Sequence, residues 1–176
     1  MGSNLVKNLA KNKKLTVLTR KKIKSSYNVK YLNCDLKSKK QINNIFKKEK
    51  PDIVYHFAWE GIPIFNLKYL KKNILISNNL ISAVNTFKCK KIIIAGSCNE
   101  YPYKDYYFKN KENSPSSKKL NILGKQKNHI KYIFTSKLKK DVKLIWSRIF
   151  YVYGPGQRNG SLLSSLIEKY EKKEKF

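Results

Sequence analysis

Short apolar runs alternate with longer helix-spaced stretches along this chain, and that alternation limits the folds open to it. The runs 15–19, 29–34, 52–58, 91–98 and 142–151 are rich in Ile, Val, Leu and aromatic residues, with Ile92, Ile93 and Ile94 at the centre of the fourth. Runs of this length, bounded by polar segments, read as strands buried on both faces. Between them, Leu67, Leu70, Ile74, Ile81, Val84 and Phe87 recur at three, four and seven, one face of a helix. A second helix opens at Ser38, carries Ile42, Ile45 and Phe46, and stops before Pro51. Further helices are predicted over 121–137 and 161–173. Strands alternating with helices imply βαβ units, a parallel sheet and right-handed crossovers that place helices on both faces. The fold class is α/β.

Composition narrows the function classes. With 176 residues, 41% hydrophobic and 12% aromatic, the chain can bury one real core. No apolar run reaches the roughly 18 residues of a membrane span, and the polar centre of the N-terminal segment argues against a signal peptide, so the reading is cytoplasmic. Val6 stands where a myristoylation start needs Ser or Thr. Cys34, Cys89 and Cys98 are odd in number and lack CxxC spacing, and His56 and His129 are the only histidines, which argues against disulfides and a metal site. The net charge is +28, yet only Arg20, Arg148 and Arg158 of the 39 basic residues are arginine. Spread lysines fit a compositional bias better than a phosphate-reading surface, which would use arginine forks. A sequence-independent nucleic-acid binder is kept as an alternative on charge alone.

Eight segments then fall in a telling order. Gly2 precedes a helix pattern that begins at Ser3. Thr19-Arg20 and Cys34-Asp35-Leu36 end the first and second strands. Pro51-Asp52-Ile53-Val54-Tyr55-His56-Phe57-Ala58-Trp59 holds the third, and Asn73 lies on the following helix. Ala95-Gly96-Ser97-Cys98-Asn99-Glu100-Tyr101 ends the fourth. Asn121-Ile122-Leu123-Gly124-Lys125-Gln126-Lys127 opens the next helix, and the fifth strand runs through Trp146-Ser147-Arg148-Ile149-Phe150-Tyr151-Val152-Tyr153-Gly154-Pro155-Gly156-Gln157. Together they resemble the extended short-chain dehydrogenase/reductase family, the nucleotide-sugar epimerases and dehydratases, over nearly the whole chain.

The resemblance implies a Rossmann-like doubly wound parallel sheet lacking its first strand and most of the substrate domain, as one partial NAD(P)-binding domain over 1–176 whose last part, 154–176, begins the substrate-binding region. Loss of the first strand would leave two inner edges unpaired. It implies NAD or NADP as cofactor and a nucleotide-sugar as substrate. Gly2 would be the last phosphate-loop glycine, allowing close helix–strand packing. Arg20 would sit at the adenosine ribose, leaning toward NADP, and Asp35 and Leu36 at the adenine. Phe57, Ala58 and Trp59 would form the strand end under the cofactor, Asn73 would order the site, and His56 would be structural. Ser97 matches the catalytic hydroxyl that hydrogen-bonds the reacting sugar oxygen, and Lys127 the lysine that holds the nicotinamide ribose. Cys98 and Asn99 stand where dehydratases carry an acidic pair, which counts against 4,6-dehydration. Family members dimerise through two helices, so a homodimer through the helix of Leu67–Phe87 and that of Lys127 is permitted.

One residue breaks the pattern. The family's YxxxK tyrosine moves the proton, its pKa drawn down from about 10 by the lysine. Leu123 occupies that place. The other YxxxK, Tyr107 to Lys111, lies in the polar segment 101–119 and is expected by chance among 12 tyrosines and 36 lysines. Three readings follow: an oxidoreductase fragment or impaired copy, a non-catalytic relative that binds a nucleotide or dimerises, and the basic nucleic-acid binder.

Overall fold

In the computed structural model the described residues are 1–101, 111–112, 120–154 and 162–172. The chain order is α1 (Gly2–Leu9), β1 (Leu15–Thr19), β2 (Val29–Asn33), α2 (Lys39–Glu49), β3 (Ile53–His56), α3 (Leu67–Thr86), β4 (Lys91–Ser97), a 3-10 turn (Cys98–Glu100), α4 (Ile122–Lys137), β5 (Lys143–Ile149) and α5 (Leu162–Glu171). Every strand pairing is parallel. The segment 155–157 and Tyr107 of the second YxxxK lie outside the described residues.

The sheet is in two pieces. β1 pairs with β2, and β3, β4 and β5 form a separate three-stranded sheet in that order. Among the described residues, β1 pairs only with β2 and β3 only with β4, so each has one edge without a strand partner. The register sets which side chains look the same way: Val54, Ile92 and Leu144 are partners, then His56, Ile94 and Trp146. Those positions meet the core formed with Ile76, Leu80, Ile81, Ala83 and Val84 of α3 and Ile130, Ile133 and Phe134 of α4. Each large apolar side chain removed from water there contributes about 1.5–3 kcal/mol before entropy is charged against it.

Burial on both strand faces is corrected. Only β4 is close to buried throughout, while Ile53 and Tyr55 on the opposite face of β3 stay 43% and 40% exposed. α2, α3 and α4 pack side by side over the core face, whereas α1 buries none of its residues. The predicted helix–strand packing at Gly2 fails for the same reason: a Cβ there would meet nothing within 4 Å, because no strand lies beside α1 among the described residues.

Helix starts follow from capping. Ser38 accepts from the Gln41 N–H, Asn66 from the Tyr69 N–H at 3.0 Å, and Asn121 from the Gly124 N–H at 2.8 Å. Each satisfies a first-turn donor that the helix itself cannot. α2 ends at Lys50 in the left-handed region (φ 42), one residue before Pro51. β3 stops at His56, two residues short of the predicted 52–58. Phe57 and Ala58 fall in the loop that follows, which Asn73 clasps at Glu60. No helix among the described residues is long and apolar enough to cross a membrane.

Candidate active site at the carboxyl ends of the strands

In open parallel sheets, ligands bind beyond the carboxyl ends of the strands, at the point where strand order reverses. Here β1 and β3 belong to separate sheets, and the residues that follow them are joined by the Arg20–Glu60 ion pair. Ser97 ends β4, and the loop that follows β3 carries Phe57, Ala58 and Trp59. Asn73 fixes this loop by a two-way clasp: its Oδ1 accepts from the Glu60 N–H at 2.9 Å, and its Nδ2 donates to the Glu60 carbonyl at 3.1 Å. Asn73 is buried on α3, so the clasp ties a loop to the most deeply packed helix.

Lys127 reaches the same place from α4. Its buried Nζ donates to the Ala95 carbonyl at 2.7 Å, two residues before Ser97 on β4. It also lies 3.7 Å from the centroid of the Trp59 ring, a cation–π contact. Burial pushes the ammonium down to about 8, against the opposing pull of the Glu100 carboxylate. The Trp59 indole N–H is buried with no partner among the described residues. α4 thus brings Lys127 to β4 and to the loop after β3, while Leu123 sits on the same helix one turn earlier.

Ser97 is committed in one direction. Its Oγ accepts from the Asn99 N–H at 3.2 Å and from Asn99 Nδ2 at 3.1 Å. A hydroxyl has two acceptor sites and one proton. With both lone pairs engaged, what Ser97 has left to offer a ligand is its proton. Asn121 Nδ2 donates to Asn99 Oδ1 at 2.6 Å, while Asn121 Oδ1 caps α4. A chain of amides therefore couples the hydroxyl of β4 to the first turn of α4. Behind it, buried Glu100 accepts from the Ser97 N–H at 2.6 Å and from Trp146 Nε1 at 2.8 Å, and pairs with Arg148 at 3.4 Å.

The remaining predicted positions divide. Arg20 follows β1 directly, and its guanidinium pairs with Glu60 at 2.8 Å. Asp35 is engaged locally, accepting from the Lys37 N–H at 3.0 Å and pairing with the Lys37 ammonium at 3.3 Å. Leu36 packs against the core, its carbonyl accepting from Asn79 Nδ2. Ala58 is exposed and Phe57 half-buried against Tyr55. Gly2 lies on α1 and touches none of them. A cavity of about 370 Å³ opens beside the β1–β2 loop, lined by Lys21, Lys22, Ile23, Lys24, Tyr31 and Asn33, and includes neither Ser97 nor Lys127. At Lys127 the Trp59 ring lies against the ammonium. Sequence reasoning missed Glu60, the bridging role of Asn99 and Asn121, and the buried Glu100. Only Asn121 carried a readable signal, an N-cap type at the head of a helix pattern.

His56 is buried beside Phe134, with ring centroids 6.4 Å apart. Burial, and then the charge of Lys127, pull its imidazole down to about 4. The unfolded chain protonates its histidine near 6.5, so between pH 6.5 and 4 the unfolded state binds the extra proton and stability falls as pH drops. The expected loss by pH 4 is roughly 3 kcal/mol. Urea unfolding at pH 7 and pH 4 should show it in the wild type and much less in His56→Gln; equal losses in the two proteins would contradict the assignment.

The sequence matches the model of the NAD dependent epimerase/dehydratase family over residues 1–176. No individually curated protein matches it. Among solved structures, the fold is similar to the UDP-glucose 4-epimerase of Thermotoga maritima, determined with UDP-glucose, at a TM-score of 0.82 and 20% identity, covering 99% of this chain and 60% of that one. The Thermus thermophilus UDP-glucose 4-epimerase in complex with NAD gives 0.78 and 21%, with 99% and 60% covered. MoeE5, in complex with UDP-glucose and NAD, gives 0.75 and 23%, with 96% and 56% covered. The chain thus spans about 60% of the length of these relatives. On the family match, which takes in the loop of Ala58, the end of β4 at Ser97 and the helix of Lys127, the chain belongs to the NAD dependent epimerase/dehydratase family.

Proposed function

We propose that the chain binds NAD or NADP across the carboxyl ends of β3 and β4, beside a nucleotide-linked sugar, and that Leu123 cripples the proton-transfer half of the chemistry. The observation that carries this reading is the convergence of Lys127, from α4, on Trp59 of the loop after β3 and on the β4 carbonyl two residues before Ser97. The residues present fit such a group. The Trp59 N–H is buried without a partner among the described residues, and Ser97 has a proton to give. The solved relatives bound to NAD and UDP-glucose support the same class of ligand.

When bound, the nicotinamide supplies a two-electron acceptor or donor for a sugar carbon. This chain's residues supply the rest. Ser97 donates its hydroxyl proton in a hydrogen bond to the sugar oxygen. Lys127, dry and over Trp59, holds the ribose by its ammonium, and the Ala95 carbonyl fixes its position. Asn73 and Glu60 keep the Ala58–Trp59 backbone in place. At position 123 a leucine can neither take nor give a proton, so the charge of Lys127 has no phenol to activate. The segment from 154 onward opens the substrate side, and a homodimer through α3 and α4 belongs to the same reading, with Leu75 and Tyr132 exposed on these helices.

Titrating NADH and NADPH into the protein should raise nicotinamide fluorescence with at least one of them. Leu123→Tyr should then increase nicotinamide-dependent oxidation of a UDP-sugar at least about 100-fold. Binding by both proteins without that gain would favour a non-catalytic, nucleotide-binding role. Absence of fluorescence change with either nucleotide would contradict the cofactor site itself.

A further inference from the structure

We infer that Glu60 sets the cofactor preference of this site toward NAD, by occupying the one arginine that a 2′-phosphate would need. The inference rests on the dinucleotide reading above. Arg20 stands at the carboxyl end of β1, where an acidic side chain selects the free ribose diol and an arginine accommodates the 2′-phosphate. This chain has the arginine, but its Nη1 already donates to Glu60 Oε1 at 2.8 Å. Glu60 follows β3, so the pair links the segments that leave β1 and β3, strands of two separate sheets.

Glu60 is poorly placed to step aside. Both of its backbone polar groups are clasped by Asn73, and its side chain is only 20% exposed, against 67% for Arg20. A second carboxylate is near. Asp35, held below its usual range first by the Lys37 backbone N–H, is also pulled down by the Arg20 charge. Arg20 is therefore paired with one acid and within the electrostatic reach of another. A ribose hydroxyl can enter beside Glu60 and hydrogen-bond it with the Arg20 pair intact. A phosphate dianion must strip Arg20 from Glu60 and then lie against an uncompensated carboxylate. Lys21, Lys22 and Lys24 line the neighbouring cavity and attract any polyanion, NAD and NADP alike.

The test is calorimetric titration of NAD and NADP into the wild-type chain, Glu60→Gln and Arg20→Gln at one fixed salt concentration, with circular dichroism confirming that each variant is folded. The wild type should bind NAD more tightly. Glu60→Gln should move the NAD:NADP affinity ratio about tenfold toward NADP, and Arg20→Gln should move it the opposite way. A wild type that prefers NADP, or a shift below threefold in Glu60→Gln, overturns the inference and leaves the cofactor reading standing. If Glu60→Gln fails to fold, a shift toward NADP in Arg20→Gln overturns it alone. No binding of either dinucleotide to the wild type overturns the cofactor reading, and this inference with it.

Discussion

Gly124→Ala is expected to destabilise the chain by about 2–3 kcal/mol, although helix propensity alone favours the substitution by about 1 kcal/mol. Gly124 lies in the first turn of α4, where a Cβ would overlap the backbone carbonyl of Asn99. The obstacle is main chain, in a turn fixed at both ends: the Glu100 side chain accepts from the Ser97 N–H, and Ser97 Oγ accepts from the Asn99 N–H. Neither that turn nor the helix can give way without breaking the amide chain from Ser97 through Asn99 to Asn121. Packing therefore outweighs propensity. Gly2→Ala is the matched control, since a Cβ there meets nothing within 4 Å, and its effect should stay within about 0.5 kcal/mol. Urea unfolding midpoints decide the matter: a Gly124→Ala protein as stable as Gly2→Ala would show that α4 does not pack as described. The same variant should weaken nucleotide binding, because α4 carries Lys127.

Glu100→Ala should cost about 3–5 kcal/mol. The carboxylate is fully buried and receives three donors: the Ser97 N–H, Trp146 Nε1 and Arg148 Nε. Removing it strands all three, one a guanidinium whose side chain is 9% exposed. Arg148 keeps a bond to the Glu112 carbonyl at 2.7 Å and its place 4.4 Å from the Tyr101 ring centroid, which limits the loss. Glu100→Gln should fall between the two, retaining one acceptor oxygen and turning an N–H₂ toward a donor. Denaturant titration with intrinsic tryptophan emission follows stability and the Trp146 environment together. A loss below about 1 kcal/mol for Glu100→Ala would mean that the turn is held from elsewhere.

The alternation of apolar runs and helix-spaced stretches was enough to anticipate every strand among the described residues and the helices α2 to α5, because periodicity reports which face meets the core. Ends were less legible. The run 52–58 looked like one strand, yet β3 stops at His56, since pairing depends on which neighbours a strand has. Burial on both faces was overestimated for the same reason: Ile53 and Tyr55 read as core residues but face the side that α2, α3 and α4 leave uncovered. Ser97 and Lys127 stood out through their motifs. The groups that orient them did not. The Arg20–Glu60 pair joins residues 40 apart, and the Asn99–Asn121 bond residues 22 apart. Neither separation has a period or a motif; each is created by the crossovers of the fold. Leu123 was legible as a departure from the family's tyrosine, whereas the ring of Trp59 over Lys127 required the folded loop.

A crystal structure determined in the presence of NAD would show where the dinucleotide sits. Density is expected across the ends of β3 and β4, with a ribose within hydrogen-bonding distance of Lys127 Nζ and the adenosine end near Arg20. Dinucleotide bound away from Ala58, Ser97 and Lys127, or a fold in which those three positions lie apart, would contradict this placement.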